Sequence, residues 1–312
     1  MKKILLFLLC LLAAYFILDR VLYYFARKEV YDKVVSGGNG GQINYLLQRK
    51  RDIDFLVMGN SRARLHIDPA RLTNLYNGNG FNAAIIAVGD VYYNHVLLDM
   101  VLRNGIKPKA LILQVDASRF SRDDKAFELS ALLNYIGSSD VLDRYVATFS
   151  YKDRLLLCSQ LFRFNGKVFN LAYNYTKIGS VGNNDNGFAP QDKVMDIRYE
   201  VLAEKETHVK HPFLPEKVTA LKQIYGLCRD NGIRLYMVTT PAFQNCTYNE
   251  ADNNTLRQVV AEMPGVHLFQ MDDIRKFPAL AAYDNWCDVN HMNRKGAILF
   301  STILNDSLAA YR

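Results

Sequence analysis

Three residues from opposite ends of the chain have the types and spacing for acyl chemistry. Near the start, Phe55-Leu56-Val57-Met58 runs into Gly59-Asn60-Ser61-Arg62. Near the end, Asp288 and His291 form a D-x-x-H pair within Trp286-Cys287-Asp288-Val289-Asn290-His291-Met292. A serine hydroxyl is a poor nucleophile until a base takes its proton. Histidine suits that task because its pKa lies near neutrality, and a carboxylate fixes its tautomer and stabilises the imidazolium. Chain order Ser, Asp, His is one of several that build this triad. The bland alternative for the first block is a strand-ending turn, since Gly, Asn and Ser all favour turns and helix starts. His66, five residues after Ser61, reads as an alternative base or, by default, as a residue on a loop or helix face that points elsewhere. Arg62 and Arg64 read either as anion contacts or as solvated surface charge.

These residues need a scaffold that brings both chain ends together. A continuous apolar run ended by a turn signal reads as a buried strand of a parallel sheet. In open α/β sheets, ligands bind past the carboxyl ends of the strands, which is where Ser61 falls. The first strand is expected at Ile53–Met58, with others at Phe81–Ile86, Ala110–Val115, Ile233–Thr239 and Val266–Gln270. Helices are expected at Tyr92–Asn104, Glu216–Asn231, Asn249–Met263 and Asn293–Tyr311. The pattern predicts an α/β fold with a central, mostly parallel five-stranded sheet. Asp116, after the third strand, shares the rim with Ser61. Between Asp123 and Pro215 the alternation lapses into a helical stretch and then an aperiodic one, expected as an insertion beside or over the site. Within it His208 and His211 stand at i, i+3, but no acidic or Cys partners at metal-site spacing accompany them. No metal and no cofactor is expected.

The Gly-Asn-Ser and D-x-x-H blocks resemble those of the SGNH (GDSL-like) hydrolase family. The resemblance runs from about Asp52 to the C-terminus and implies a three-layer α/β/α domain, with Ser61 as nucleophile, Asp288 as orienting acid and His291 as base. It also implies an oxyanion hole from the backbone N–H groups of Ser61 and Gly89, the latter in Val88-Gly89-Asp90. Asn60, Arg62 and Asp116 are the expected substrate contacts. The family's Gly-x-Asn-Asp block is absent after the third strand, where Gln114-Val115-Asp116 stands instead. Asp116 either takes over part of that block or is an ordinary loop carboxylate. The departure is similar to the membrane-anchored subset that includes alginate-type O-acetyltransferases and the D-alanyl transfer protein of teichoic acid modification.

The N-terminus agrees with an anchor. Met1-Lys2-Lys3 precedes an unbroken apolar run from Ile4 to Leu18; Asp19 and Arg20 interrupt it, and Val21-Leu22-Tyr23-Tyr24-Phe25 resumes it. About 20 helical residues cross a bilayer core. A cleaved signal peptide is the rival, but no clean A-x-A site follows. The expected organisation is an anchor at residues 1–28, a connector at 29–51 with a flexible Ser36–Gly41 loop, and a catalytic domain at 52–312. Basic residues flank the run on both sides, so charge does not orient it. The resemblance implies an extracytoplasmic domain acting on an envelope polysaccharide or lipid-linked glycan, with a membrane-bound O-acyltransferase as implied partner. Net charge is +7 over 312 residues without a dense basic run, which disfavours nucleic acid and fits an anionic polymer or headgroup. Five cysteines without C-x-x-C spacing leave two disulfides or buried thiols open. Two functions follow: a serine esterase or O-acyltransferase, and an inactive scaffold or carbohydrate-binding protein on the same fold.

Overall fold

The computed structural model of the protein describes residues 1–35, 41–48, 52–164, 186–196 and 210–311. Strands β1 (Phe55–Met58), β2 (Gly80–Asn82), β3 (Ala110–Gln114), β4 (Arg234–Thr239) and β5 (His267–Gln270) form one sheet of order β2-β1-β3-β4-β5. Every pair is parallel. The chain steps outward from β1 to β2, then returns to the far side of β1 as β3. That reversal places a crevice beyond the carboxyl ends of β1 and β3.

Among the described residues the helices are α1 (Lys2–Phe25), α2 (Gly41–Gln48), α3 (Ser61–His66), α4 (Val91–Arg103), α5 (Lys125–Glu128), α6 (Asp140–Ala147), α7 (Tyr151–Leu156), α8 (Pro215–Asp230), α9 (Glu250–Ala261) and α10 (Arg294–Ala309). Successive side chains of a strand point to opposite faces. Leu56 and Met58 accordingly join a core with α4, α8 and α9, while Phe55 and Val57 join one with α3 and α10. Helices cover both faces, which is why the strands read as apolar runs rather than as alternating ones.

The second strand ends four residues earlier than Phe81–Ile86 predicts. Asn82 Oδ1 accepts the N–H of Ala84, and Asn82 Nδ2 donates to the carbonyls of Ala63 and Ile67, both at 2.8 Å. The chain therefore bends over the end of β1, where Ile85 N–H meets the Gly59 carbonyl at 3.2 Å.

The helical stretch Lys2–Lys33 is long and apolar enough to cross a membrane. Its second half is not a free tether. Asp19 is buried, and its carboxylate accepts bonds from Ser159 Oγ (2.6 Å) and from the N–H groups of Gln160 (2.8 Å) and Leu161 (3.0 Å). Tyr23 packs against Phe164 with ring centroids 5.2 Å apart, and Arg27 Nη1 donates to the Asn134 carbonyl at 2.7 Å. The expected connector is also part of the body: α2 buries Ile43, Leu46 and Leu47 in the core. Residues 36–40 of the expected flexible loop lie outside the described residues. So do 165–185 and 197–209 of the expected insertion, with His208.

Candidate active site

Ser61 occupies the first position of α3, one turn beyond the end of β1. Two residues make that turn. Gly59 has φ of +147°, and a Cβ there would lie 2.8 Å from both Ala63 Cβ and Gln114 Cβ. Asn60 caps the helix, its side chain accepting the N–H of Arg62 at 2.9 Å. Such a cap satisfies one of the donors left open at a helix start.

His291 reaches the same point from the loop before α10. Its Nε2 lies 2.8 Å from Ser61 Oγ, and its Nδ1 lies 3.0 Å from both carboxylate oxygens of Asp288. With the Asp288 carboxylate accepting from Nδ1–H, Nε2 is left as acceptor for the serine proton. Asp288 Oδ1 also accepts the N–H groups of Asn290 (2.8 Å) and His291 (2.9 Å), so the D-x-x-H spacing folds into one turn around the carboxylate. Partial burial works against the charge on Asp288, but the hydrogen bonds from His291 and Asn290 outweigh it and hold the carboxyl below its ordinary range. The loop itself is pinned. Trp286 is fully buried, donates Nε1–H to the Leu280 carbonyl at 2.8 Å and bridges to Met292. Asn293 caps α10 through the N–H of Gly296 at 3.1 Å.

Gly89 closes the site from the third side. A Cβ there would fall 2.1 Å from the Gly59 carbonyl and 2.9 Å from Asn60 Cα, so its backbone lies directly against the turn that carries Ser61. Among the described residues, no acceptor takes the N–H of Ser61 or Gly89. Asp90, next in the chain, is buried and faces a cluster of charged groups. Arg119 Nε lies 3.7 Å from its carboxylate. Nearby, the buried Lys217 Nζ reaches Asp124 (2.8 Å), Glu128 (2.7 Å) and the Arg119 carbonyl (2.8 Å). Burial pushes Asp90 up to about 6 and Glu128 up to about 8, against the pull of Lys217.

The other three expected contacts form a network of their own. Asn60 Nδ2 donates to Asp116 Oδ2 at 2.7 Å, and Arg62 Nη1 to Asp116 Oδ1 at 3.1 Å. Arg62 Nη2 continues to Thr247 Oγ1 at 2.8 Å and to Asn290 Oδ1 at 3.4 Å. Arg62 thus joins the start of α3, the rim of β3 and the His291 loop. Its guanidinium forms one wall of a small polar cleft whose other walls include Asp116, Ser118, Thr239, Asn253 and Asp272.

Two participants were not legible in the sequence. His66 is not a base for Ser61: it is fully buried, and its Nε2 accepts the N–H of Met292 at 3.0 Å. Burial above all, with Arg62 and the His291 ring nearby, drives its pKa well below the ordinary value, so it stays neutral. Gln114 uses Oε1 to accept the N–H of Asn60 at 3.2 Å, while its Nε2 is buried with no partner among the described residues. The sequence signal at that position is the absence of Gly-x-Asn-Asp. His211 is engaged elsewhere, with Nδ1 2.8 Å from Asp252. Among the described residues, no cluster of His, Cys, Asp and Glu could hold a metal ion. None of the five cysteines is in a disulfide, and burial raises Cys287, beside Asp288, to about 11.

No curated protein matches the chain. One family model, described as "Protein of unknown function (DUF1574)", matches residues 3–258, from the start of α1 into α9. It spans Ser61 and Gly89 and stops before Asp288 and His291. By that match over most of its length, the chain belongs to the DUF1574 family.

Proposed function

We propose that the protein is a membrane-anchored serine acyl esterase or O-acyltransferase of the SGNH (GDSL-like) kind, acting outside the cytoplasmic membrane on an envelope polysaccharide or lipid-linked glycan. One observation carries the chemistry: His291 Nε2 at 2.8 Å from Ser61 Oγ with Asp288 on the opposite ring nitrogen. Nε2 takes the serine proton as Oγ bonds to the ester carbonyl carbon. The resulting oxyanion is met by the N–H groups of Ser61 and Gly89, each such donor being worth about 10²–10³ in rate. The imidazolium, stabilised by Asp288, returns its proton to the leaving alkoxide as the ester C–O bond breaks. Water or a sugar hydroxyl then gives its proton to Nε2 as its oxygen bonds to the acyl carbon; the acyl C–Oγ bond breaks, and Nε2 returns the proton to Ser61 Oγ. The apolar α1 favours an envelope substrate over a soluble metabolite. The partnership with a membrane-bound O-acyltransferase rests on the family resemblance alone.

A second reading, an inactive scaffold or carbohydrate-binding protein, is favoured by Gln114 standing where the family has Gly-x-Asn-Asp. Purified full chain given p-nitrophenyl acetate, with and without an oligosaccharide acceptor, separates the readings. Release of nitrophenol without acceptor marks an esterase, and acetylated acceptor in the mass spectrum marks a transferase. Neither product above the Ser61→Ala background marks the scaffold.

A further inference from the structure

The height at which α1 joins the domain has a consequence for the domain itself. From Ile4 to Leu18 the unbroken apolar run is about 15 residues, or about 22 Å of helix. A hydrocarbon core of about 30 Å takes about 20 residues. A span starting anywhere between Met1 and Ile4 therefore ends between about Arg20 and Tyr23. At that level one helix face is already packed into the domain through Asp19 and Tyr23, while Leu18, Val21, Leu22, Tyr24 and Phe25 on the other face are exposed. The domain segment bonded to Asp19, Ser159–Leu161, therefore lies at the membrane boundary.

The same segment follows α7, a short helix whose apolar residues do not face the core. Tyr151 is 74% exposed and Leu155, one turn on, is 58% exposed. Leu156 is exposed as well. Between α7 and α1 opens a cleft lined by Arg20, Arg154 and Arg163, with Val146 and Leu157 as apolar walls and Asp143 as the acid in its lining. Arg20 Nη1 is already paired with Asp19 Oδ2 at 2.5 Å. Arg163 lies with its guanidinium 5.8 Å from the centre of the Tyr23 ring, and its Nε is buried with no hydrogen-bond partner among the described residues. Arg154 is exposed, and Asp143 already accepts the N–H of Gly137 at 2.9 Å.

We propose that α7 is a second, monotopic membrane contact: Tyr151, Leu155 and Leu156 enter the bilayer interface beside α1, and Arg154 and Arg163 take anionic phospholipid headgroups. Apolar side chains on one face with arginines beside them are what an interfacial helix requires. An anionic leaflet attracts each such basic group. Continuity with α1 selects a lipid surface over a protein partner. The domain is thereby pressed to the bilayer in one orientation, instead of swinging on a stalk. This rests on reading α1 as an anchor, but not on the serine chemistry.

Depth-dependent quenching tests it in the full chain. In a Cys10→Ser, Cys158→Ser background, a nitrobenzoxadiazole fluorophore is attached after Leu9→Cys, Leu155→Cys or Thr302→Cys. The protein is reconstituted in vesicles of phosphatidylcholine with phosphatidylglycerol, carrying doxyl-labelled lipid. The expected result is quenching at 9 and 155 and none at 302, which lies exposed on α10. Quenching at 9 with 155 behaving like 302 overturns the α7 contact while leaving the anchor in place. No quenching at 9 overturns the anchor and the contact together. Arg154→Glu, alone and with Arg163→Glu, should cut quenching at 155 to the level seen in phosphatidylcholine alone. Equal quenching in both lipid mixtures, unchanged by Arg154→Glu, overturns the headgroup assignment.

Discussion

His66 Nε2 accepts the backbone N–H of Met292, tying the end of α3, which begins with Ser61, to the residue that follows His291. A neutral histidine fits this place and a protonated one does not, because protonation turns the acceptor into a donor facing another donor.

The sign of the pH effect follows. His66 has a folded pKa well below its ordinary 6.5, so the unfolded chain binds more protons and stability falls as pH drops below about 6.5. His66→Gln keeps an acceptor and removes the titration. Denaturant unfolding at pH 5 and pH 7 should show a smaller acid-side loss in His66→Gln than in the wild type. Identical pH slopes would contradict the assignment.

Glu128 should act in the opposite direction. Burial raises its folded value from 4.5 to about 8, so the folded chain holds the extra proton and stability falls as pH rises from about 4.5 through 8. Glu128→Gln should flatten that part of the unfolding profile. A steeper decline in the variant would mean that the Lys217 ion pair, and not the desolvated carboxyl, dominates the cluster.

Gly89→Ala addresses the oxyanion site. Its Cβ must displace the Gly59 carbonyl, and with it the turn that holds Ser61. Ester turnover should fall by about 10²–10³, with KM less affected than kcat. The check is steady-state kinetics beside an unfolding curve, so that a folding defect is seen as such. Wild-type turnover in folded Gly89→Ala would remove Gly89 from the site.

The anchor and the body should not be separable. Removing residues 1–28 uncovers Phe164 and strips the N–H groups of Gln160 and Leu161 and the Asn134 carbonyl of their partners. Each such hydrogen bond contributes about 0.5–1.5 kcal/mol, and the apolar surface around Phe164 is bared as well. The shortened chain should aggregate, or unfold at lower denaturant than the full chain in detergent, as followed by size exclusion and denaturation. A monodisperse product of equal stability would contradict the packing.

How much of this the sequence reveals depends on the range of the contacts. Strands β3 to β5 and the helices α4, α8, α9 and α10 are legible to within a residue or two, because apolar runs and stop signals such as Asn104-Gly105 are local. Ser61, Asp288 and His291 are legible as candidates because their chemistry constrains residue type and spacing. The early end of β2 is not, since it depends on Asn82 bonding to carbonyls of α3. Nor is the His66–Met292 tie, made 226 residues apart, or the capture of Asp19 by Ser159. That His66 points away from Ser61 agrees with its default reading, but the Met292 partner it finds there is beyond any local pattern.

The central claim is that Ser61 is a nucleophile activated by His291, and active-site labelling tests it most directly. The full chain is treated with a fluorophosphonate and the adduct is located by peptide mass spectrometry. One adduct on Ser61 is expected, lost in Ser61→Ala and strongly slowed in His291→Ala. Ester turnover should be abolished in either variant, and the double variant should be little worse than either single, because triad members act as a unit. Asp288→Asn should be damaged but less so. An unlabelled Ser61 in folded protein, with ester turnover unchanged by Ser61→Ala, would contradict the account.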